Sequence, residues 1–495
     1  MYCGILILEN NKTYGLVSGQ GSGQGNKSNK HYYRCIPNNS ELSDLLIPFE
    51  YKQIGFSKIF KNHYITFKII QSTDKHSIGQ IIQNIGPVDI LEHFYEYQLY
   101  CKNIFHSIQP FTKNTLKMIT PNIEYDIQSL FQFEERRTCT LFSIDPFNSK
   151  DFDDAFSIQE TALGEYILSI YISNVSIWLD YLQLWQYFSN RVSTIYLPDK
   201  KHSMLPTILS DNLCSLKENE LRFAFTMDIF ISGDIREIKF SNTAIKLKKN
   251  YVYEEQKLLA LPDYILLKNI SQKLNKLPTT HYISEITDSH HVVEYLMIFM
   301  NHICSQKLLA KNLGIFRNTT LQTTLQTTLL HREQKEQYQG QYVTGLSDSL
   351  THNSLGLSSY IHITSPIRRL VDLLNILEFQ KEYFTTSLSQ EASLFYDNWY
   401  SKLDYINISM KSIKKVQNDC NLLYLCTTNP SILEQSFEGI VIEEDKLKNK
   451  LMIYLPKLKL FGKITAANIN ESTRYKLYIF NNESKMKKKI RLQYI

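Results

Sequence analysis

The feature that most constrains this chain is a cluster of acids between two apolar runs, in the stretch FSIDPFNSKDFDDAFSI at residues 142–158. Its four acids are Asp145, Asp151, Asp153 and Asp154. The apolar runs on either side are typical of buried strands, whereas Pro146, Asn148 and Ser149 predict a turn between them. The chain must therefore fold so that four carboxylates share one loop beside buried strands.

These carboxylates require a counter-charge. Two unit charges about 4 Å apart repel by roughly 4 kcal/mol at an effective dielectric constant near 20. Oxygen ligands with no neighbouring His or Cys favour Mg²⁺ or Mn²⁺ over zinc. A calcium loop is the rival, but counting from Asp145 places Lys150 where that loop needs Gly and Phe156 where it needs Glu. The remaining alternative is a solvated acidic turn without a metal.

A second stretch, SSYIHITSPIRRLVDLLNILEF at residues 358–379, carries the opposite charge. Pro366 suits a first helical turn and the apolar residues after it recur at helical spacing, which predicts Arg368 and Arg369 in that turn. Cations there oppose the helix dipole, but guanidinium groups and free amides together bind phosphate well. The alternative is that both arginines pair with Asp372 and other helix carboxylates. An acidic metal loop with an arginine anion site indicates metal-dependent phosphodiester chemistry.

Composition indicates a globular chain of two or three domains, since 495 residues exceed what one core usually serves. A content of 32 Tyr and 26 Phe excludes wholesale disorder, and a net charge of +5 is compatible with nucleic acid without requiring it. The eight cysteines are dispersed without zinc spacing, which predicts reduced thiols. Without a secretory signal or a run of membrane-spanning length, we expect an intracellular, cytoplasmic protein with no membrane partner.

Strand-like runs and turn signals predict an OB or cold-shock-like β region over residues 1–110. Within it, SGQGSGQGNKSNK at 18–30 predicts a flexible β connection, with a phosphate-contacting loop as the alternative. The repeat LQTTLQTTLL at 321–330 is too short for a solenoid and predicts an expanded loop or helix edge.

The last part of the chain predicts a separate barrel. TTNPS at 427–431 indicates a linker, and residues 432–495 alternate like the strands of an OB-type barrel. Its basic residues are candidates for a path along a nucleic-acid backbone: Lys457, Lys459, Lys463, Lys487, Lys488, Lys489 and Arg491.

Three blocks of the sequence resemble the ribonuclease II catalytic family, which includes ribonuclease R and the catalytic subunit of the eukaryotic exosome. They are SIDPFNSKDFDDAFSI, RVSTIYLPDKKHSMLPTILSDNLCSLKENELRFAFTMDI and GLSSYIHITSPIRRLVDLL, in the family's order, with VVEYLMIFMN as a weaker fourth. The resemblance implies an α+β multidomain protein. Its ribonuclease II-type catalytic domain at residues 111–426, a mixed β-sheet with surrounding helices, would be flanked by OB-type β-barrels.

The resemblance also implies an activity: Mg²⁺-dependent, processive 3′-to-5′ hydrolysis of single-stranded RNA to nucleoside 5′-monophosphates, at a two-metal site that Mn²⁺ can also fill. The implied metal ligands are Asp145, Asp151, Asp153 and Asp154; the implied catalytic residues are Asp153, Arg368 and Arg369; the implied RNA-binding residues are Tyr196, Tyr253, Glu294 and Arg191. The alternative is a catalytically impaired relative that acts as an RNA-binding or scaffold subunit of an RNA-decay complex.

The chain departs from the family's pattern at several positions while it retains the four aspartates. Asn174 stands for an acid, Ile177 for a histidine, Leu370 for a tyrosine, and Ile376 and Leu377 for a His-Arg pair. Substitutions at these positions bear on the reaction rate, the affinity for substrate and the contacts between domains.

Overall fold

A computed structural model provides the structure of the chain. It describes residues 1–16, 30–50, 60–72, 77–136, 140–319, 340–347, 349–384, 388–445, 450–458, 460–465, 473–482 and 487–495. The predicted loop at 18–30, except for residue 30, and the repeat at 321–330 lie outside the described residues.

The described residues form the following strands and helices. The strands are β1 Tyr2–Leu6, β2 His31–Pro37, β3 Leu45–Phe49, β4 His63–Ser72, β5 Ser77–Pro87, β6 Glu134–Arg136, β7 Phe142–Asp145, β8 Asp154–Ala162, β9 Glu165–Ser173, β10 Ile195–Tyr196, β11 Lys201–His202, β12 Leu221–Ser232, β13 Asp234–Lys246, β14 Lys249–Val252, β15 Ile315–Thr319, β16 Gly340–Thr344, β17 Ser436–Asp445, β18 Lys450–Leu455, β19 Leu460–Thr465, β20 Thr473–Asn482 and β21 Lys487–Tyr494. The helices are α1 Leu91–Cys101, α2 Gln109–Met118, α3 Ile123–Leu130, α4 Val175–Tyr181, α5 Gln256–Leu259, α6 Pro262–Leu274, α7 Ser289–Leu309, α8 Leu370–Tyr383, α9 Gln390–Tyr400 and α10 Leu403–Thr428.

The N-terminal strands close into a barrel in the order β1-β2-β3-β5-β4. Alternate side chains such as Tyr33, Cys35 and Ile47 are buried inside it, as the period of two in a strand requires. The β region ends at Pro87, so the prediction of β structure up to residue 110 is wrong for its last part. The residues after it form α1, whose aromatic side chains join the main core instead of a barrel wall.

The central sheet is mixed and has the order β14-β7-β8-β9-β12-β13-β6 within the described residues. Strands β9 and β12 are buried almost throughout because both faces of the sheet are covered. Strand β14 runs parallel to β7 and pairs Val252 with Asp145, whereas β8 runs antiparallel to β9. The loop between β7 and β8, which carries the aspartates, therefore opens at one end of this sheet.

Helices α7 and α8 cover the sheet next to this loop. The side chain of Asp288 caps α7 by accepting from the backbone N–H of His291 at 2.9 Å. On α8, the ring of Phe379 lies 5.2 Å from Phe225 and 4.7 Å from Phe240, measured between centroids. Aromatic packing of this kind fixes the position of α8, and so of the arginines before it.

The C-terminal strands form a sheet in the order β19-β18-β17-β20-β21. It curls so that Gly462 of β19 approaches Leu492 of β21, where a Cβ atom on the glycine would clash with the leucine side chain. The predicted linker at 427–431 is wrong in form, because α10 continues to Thr428 and a 3-10 turn follows at Pro430–Leu433. Burial of Cys426 and Ile432 in the core of this sheet keeps the junction ordered.

Two expectations about the whole chain concern its thiols and its helices. The cysteines among the described residues are all free thiols, as their dispersed positions predict. In the part of the chain that the structure describes, no helix combines the length and the apolarity needed to cross a bilayer.

Candidate active site

The acidic loop has the strand-turn-strand form that its sequence predicts. Asp145 is the last residue of β7 and Asp154 the first of β8. The turn closes through the backbone N–H of Ser149, which donates to the carbonyl of Pro146 at 3.1 Å. Asn148 has a φ of 68°, a left-handed conformation that asparagine tolerates well. The turn thus returns the later aspartates to the side of Asp145.

Burial dominates the electrostatics of this loop. It raises the pKa of both Asp145 and Asp153 to about 7, against the opposing charge of Arg368. The pKa of Asp154 is raised well above its ordinary value, first by burial and then by the charges of Asp145 and Asp153. Ionised carboxylates at such a site need positive charge from elsewhere.

Two oxygens of the loop have the character of open metal ligands. Oδ2 of Asp145 and Oδ2 of Asp154 are buried and have no hydrogen-bond partner among the described residues. Unsatisfied carboxylate oxygens fit a hard divalent cation. No three His, Cys, Asp or Glu side chains among the described residues converge into a ready set of ligands for one ion. Asp151 and Asp153 instead contact cations of the chain itself.

Asp153 is held by the segment that carries the arginines. Its Oδ1 accepts from the backbone N–H of Ile367 at 2.9 Å, and its Oδ2 accepts from Nε of Arg368 at 3.1 Å. The carboxylate is almost fully buried, whereas the Arg368 side chain is 49% exposed. Arg368 therefore neutralises the loop from one side and keeps donors facing outward on the other.

The predicted start of the helix at Pro366 is wrong. Arg369 has extended backbone angles, and α8 begins only at Leu370. The reason is pairing with a distant segment: the N–H of Leu370 donates to the carbonyl of Val192 at 3.0 Å, and the N–H of Thr194 donates to the carbonyl of Arg368 at 2.9 Å. The second and third sequence blocks thus meet backbone to backbone, and the arginines precede the helix instead of lying in its first turn.

The two arginines have different partners. Nε and Nη2 of Arg369 both donate to the buried carboxylate of Asp372, which also accepts from the backbone N–H of Ser365 at 2.8 Å. This is the pairing that the sequence offered as the alternative for both arginines. Among the described residues, the Arg368 side chain donates to the Ser365 hydroxyl and to Asp153. The structure thus brings Arg368 to the aspartates and directs Arg369 toward the base of α8.

Tyr196 lies beside the loop and is 42% exposed. Its hydroxyl donates to Oδ2 of Asp151 at 3.4 Å, and its backbone N–H donates to Oε1 of Gln417 on α10 at 3.0 Å. Burial and the charge of Asp151 raise the pKa of the Tyr196 phenol. Across the β10–β11 hairpin, Tyr196 pairs with Lys201, a residue that the sequence reasoning missed.

Tyr253 lies next to Asp145, at the start of the loop. Its backbone N–H donates to the carbonyl of Asp145 at 3.1 Å, because β14 runs beside β7. Its ring stacks on His290 of α7 with centroids 3.7 Å apart and an angle of 10° between the planes. Glu294 is half-buried one helical turn beyond His290, on the same face of α7. Sequence reasoning missed His290, although its spacing from Glu294 was a usable signal.

Arg191 is not brought to the aspartates. It is buried, and its guanidinium group donates to the backbone carbonyls of His106 at 2.7 Å and Ser203 at 2.6 Å. These contacts tie the segment before α2 to the hairpin that carries Tyr196. The structure therefore gives Arg191 a supporting position and no surface for RNA.

A basic groove leads toward the site. It has a volume of about 1540 Å³ and lies between α1, α10 and the C-terminal sheet. Its cationic lining residues are Lys102, Lys411, Lys414, Lys415, Lys450, Lys463, Lys488, Lys489 and Arg491. Gln417, which accepts from Tyr196, also lines the groove, so the groove and the acidic loop meet at that tyrosine. Of the predicted basic residues in the C-terminal sheet, Lys459 lies outside the described residues.

The departures from the family's pattern are core positions. Asn174 donates to Oδ1 of Asn242 at 2.8 Å and accepts from the Gln380 amide at 3.1 Å. The other four, Ile177, Leu370, Ile376 and Leu377, are buried apolar side chains. All five positions lie inside the domain, and none of them belongs to the acidic loop.

Comparison with known proteins matches the same region. The RNB domain family profile fits residues 131–276. Ribonuclease R of Chlamydia muridarum is 28% identical over 318 residues, which cover 50% of this chain and 46% of that protein. Exosome complex exonuclease RRP44 of Mus musculus is 29% identical over 185 residues, which cover 36% of this chain and 19% of that protein. The chain thus spans about half the length of the Chlamydia ribonuclease R relatives that it matches.

Two solved structures share the fold of almost the whole chain. Mycoplasma genitalium RNase R in complex with double-stranded RNA superposes with a TM-score of 0.68 at 17% identity, covering 100% of this chain and 95% of that one. Yeast Ssd1, a pseudonuclease, superposes with a TM-score of 0.59 at 13% identity, covering 96% of this chain and 66% of that one. The superpositions show that the fold is common to these proteins. Sequence identities of 17% and 13% do not carry an activity from one protein to another. The chain thus carries, at residues 131–276, a region that matches the RNB domain, and its fold is that of the RNase R structures.

Proposed function

We propose that this chain is a divalent-metal-dependent exoribonuclease that hydrolyses single-stranded RNA from its 3′ end to nucleoside 5′-monophosphates. The observation that carries the proposal is the contact of 3.1 Å between Arg368 and Asp153, in a loop where two further aspartate oxygens are buried and unpartnered. Carboxylates for a metal beside an arginine for a phosphate are the equipment of phosphodiester hydrolysis.

The four aspartates would hold the metal. When bound, two Mg²⁺ ions supply an activated water and charge stabilisation at the leaving oxygen, and Mn²⁺ would serve in their place. Asp145 and Asp154 have open oxygens for this role. Asp151 and Asp153 would also become metal ligands once their ion pairs with Lys201 and Arg368 break. The freed guanidinium group of Arg368 would then donate to the scissile phosphate as its negative charge grows.

The aromatic residues and the groove would position RNA. Nine basic side chains line the groove, a composition that suits a polyanion. From the groove a strand would pass Tyr196, which contacts Asp151, and then Tyr253, which contacts Asp145. Stacking of bases on such rings contributes about 1 to 3 kcal/mol per base without reading sequence. The 3′ end would thereby reach the carboxylates at a fixed depth.

A digestion assay tests the proposal directly. RNA labelled at its 5′ end is incubated with the purified chain in Mg²⁺ or in chelator, and the products are resolved by length. We expect progressive shortening to a small 5′ remnant in Mg²⁺ only. Shortening that continues in chelator would rule out the metal-dependent mechanism.

The second candidate function is RNA binding without cleavage, in a scaffold of an RNA-decay complex. The fold is shared with yeast Ssd1, a pseudonuclease, so this fold also occurs in a protein that is not a nuclease. A matched relative is an exosome complex exonuclease, which makes a complex of this kind a candidate partner. Retention of all four aspartates and Arg368 favours the enzyme, because a binder needs none of them. A stable complex with RNA and no shortening in Mg²⁺ would favour the second candidate.

Neutralising the groove should weaken RNA binding and its dependence on salt. The variant Lys415→Gln/Lys463→Gln/Lys488→Gln removes three exposed charges from the groove. If each contacts a phosphate, the slope of log K against log salt should become shallower by about 2. Fluorescence anisotropy across a salt series measures this slope. The control variant Arg236→Gln/Lys239→Gln/Lys246→Gln, on β13, should retain the slope of the unaltered protein.

Removing the ring of Tyr196 should weaken RNA binding by about 1 to 3 kcal/mol, the usual contribution of one stacked base. Tyr196→Phe keeps the ring and loses only the hydroxyl contact to Asp151, so it should bind RNA almost as the unaltered protein does. Equilibrium binding in chelator, where no cleavage occurs, measures both. Equal affinities for Tyr196→Ala and Tyr196→Phe would contradict a stacking role.

A further inference from the structure

Lys201 contacts Asp151, and the proposed function requires this contact to break without giving the lysine a role of its own. Its Nζ lies 3.2 Å from Oδ1 of Asp151 and 3.0 Å from Oδ1 of Asp211. The three side chains are largely shielded, with 23%, 13% and 22% of their surfaces exposed. Lys201 is thus an ammonium group shared between one aspartate of the acidic loop and one acid outside it.

The fold holds this lysine at the loop. Lys201 belongs to β11 and pairs with Tyr196, which itself reaches Asp151 through its hydroxyl. Asp211 lies in the short helical turn Leu209–Leu213 and also accepts from the Ser210 hydroxyl at 2.6 Å. Because Asp211 anchors Lys201 from behind, the ammonium group remains within reach of Asp151 whatever Asp151 binds.

The pairing of charges in the loop is uneven. Asp153 contacts Arg368 and Asp151 contacts Lys201, whereas Asp145 and Asp154 each keep a buried oxygen without a partner. Arg368 has a proposed use in the reaction, but Lys201 has none there. Positive charge next to a carboxylate lowers its affinity for a metal ion by direct repulsion and by occupying its oxygen.

We propose that Lys201 is a built-in counter-cation of the acidic loop that competes with a divalent metal for Asp151 and so sets the metal concentration at which the site fills. This inference rests on the metal site of the proposed function. It makes Lys201 a positioning residue, since it acts on the metal through Asp151. Before the metal binds, Lys201 would keep the carboxylates from repelling one another.

Titration calorimetry of Mn²⁺ into the full chelator-treated chain tests the inference without any measurement of activity. Lys201→Met should lower the half-saturating Mn²⁺ concentration about tenfold, as loss of one nearby positive charge predicts. Lys201→Arg keeps the charge and should stay within about twofold of the unaltered protein. Lys200→Met is the matched control, because Lys200 is the neighbouring residue and its side chain contacts Glu96 and Asp199 instead.

The outcomes separate this inference from the proposed function. The inference is supported if Lys201→Met binds Mn²⁺ more tightly while Lys201→Arg and Lys200→Met do not. Lys201→Gln replaces Lys201→Met if the methionine prevents folding. Unchanged or weaker Mn²⁺ binding in the uncharged variant overturns the inference about Lys201. If Asp154→Asn abolishes Mn²⁺ binding in that case, the proposed metal site still holds. Absence of Mn²⁺ binding by the unaltered chain would overturn both.

Discussion

Asp153→Asn is expected to abolish RNA cleavage while RNA affinity stays within about twofold of the unaltered protein. The substitution keeps the shape of a buried side chain and removes the charge that faces Arg368. It would deprive the loop of an ionised ligand and leave the groove and both tyrosines intact. We expect kcat to fall about 10³-fold or more, the scale seen when one member of a catalytic set is lost. Single-turnover digestion and equilibrium binding in chelator measure the two effects.

The control for this variant is Asp44→Asn, which removes an exposed acid that pairs with Arg34 in the N-terminal barrel. It should leave cleavage unchanged. Thermal unfolding of both variants checks that loss of cleavage is not loss of fold. Normal cleavage by folded Asp153→Asn would refute the role given to this aspartate.

Arg368→Lys is expected to lower kcat by about 10² to 10³-fold, or about 3 to 4 kcal/mol, with a smaller effect on KM. Lysine keeps the positive charge beside Asp153 but cannot present two parallel donors to a phosphate. Because the interaction is proposed to strengthen as charge develops on the phosphate, its loss should fall on kcat. Steady-state digestion of a defined RNA separates the two constants.

The neighbouring arginine supplies the matched comparison. Arg369→Lys should mainly lower the unfolding temperature, because it disrupts a paired contact with the buried Asp372 at the start of α8. Cleavage per folded molecule should fall much less than in Arg368→Lys. A larger loss of kcat in Arg369→Lys would reverse the roles that the geometry supports.

The acidic loop shows how much of the candidate site can be predicted from sequence. The flanking strands, the turn and all four aspartates lie within residues 142–158. Their arrangement depends on local rules, namely the preference of apolar runs for strands and of Pro, Asn and Ser for turns. The same holds for the pair of Arg369 with Asp372, which are three residues apart and which the sequence offered as an alternative.

Two other features, the start of α8 and the burial of Arg191, could not be predicted from local sequence rules. The helix after the arginines begins at Leu370 because the backbone from Arg368 onward bonds to residues 192–194, about 175 positions earlier in the chain. Arg191 carries a charge that suits RNA, yet it is buried against backbone carbonyls. Nothing within either segment indicates these contacts, since each depends on what a distant part of the chain leaves unsatisfied.

By itself, then, the sequence determined that four carboxylates share one loop and that this loop demands positive charge, because both follow from residue types over a few neighbouring positions. Only the tertiary structure decided which cation meets which carboxylate: Arg368 meets Asp153, Lys201 meets Asp151, and one oxygen each of Asp145 and Asp154 stays open. The physical reason is that ion pairing inside a protein depends on burial and on the approach of segments far apart in the chain, and neither is encoded in local spacing.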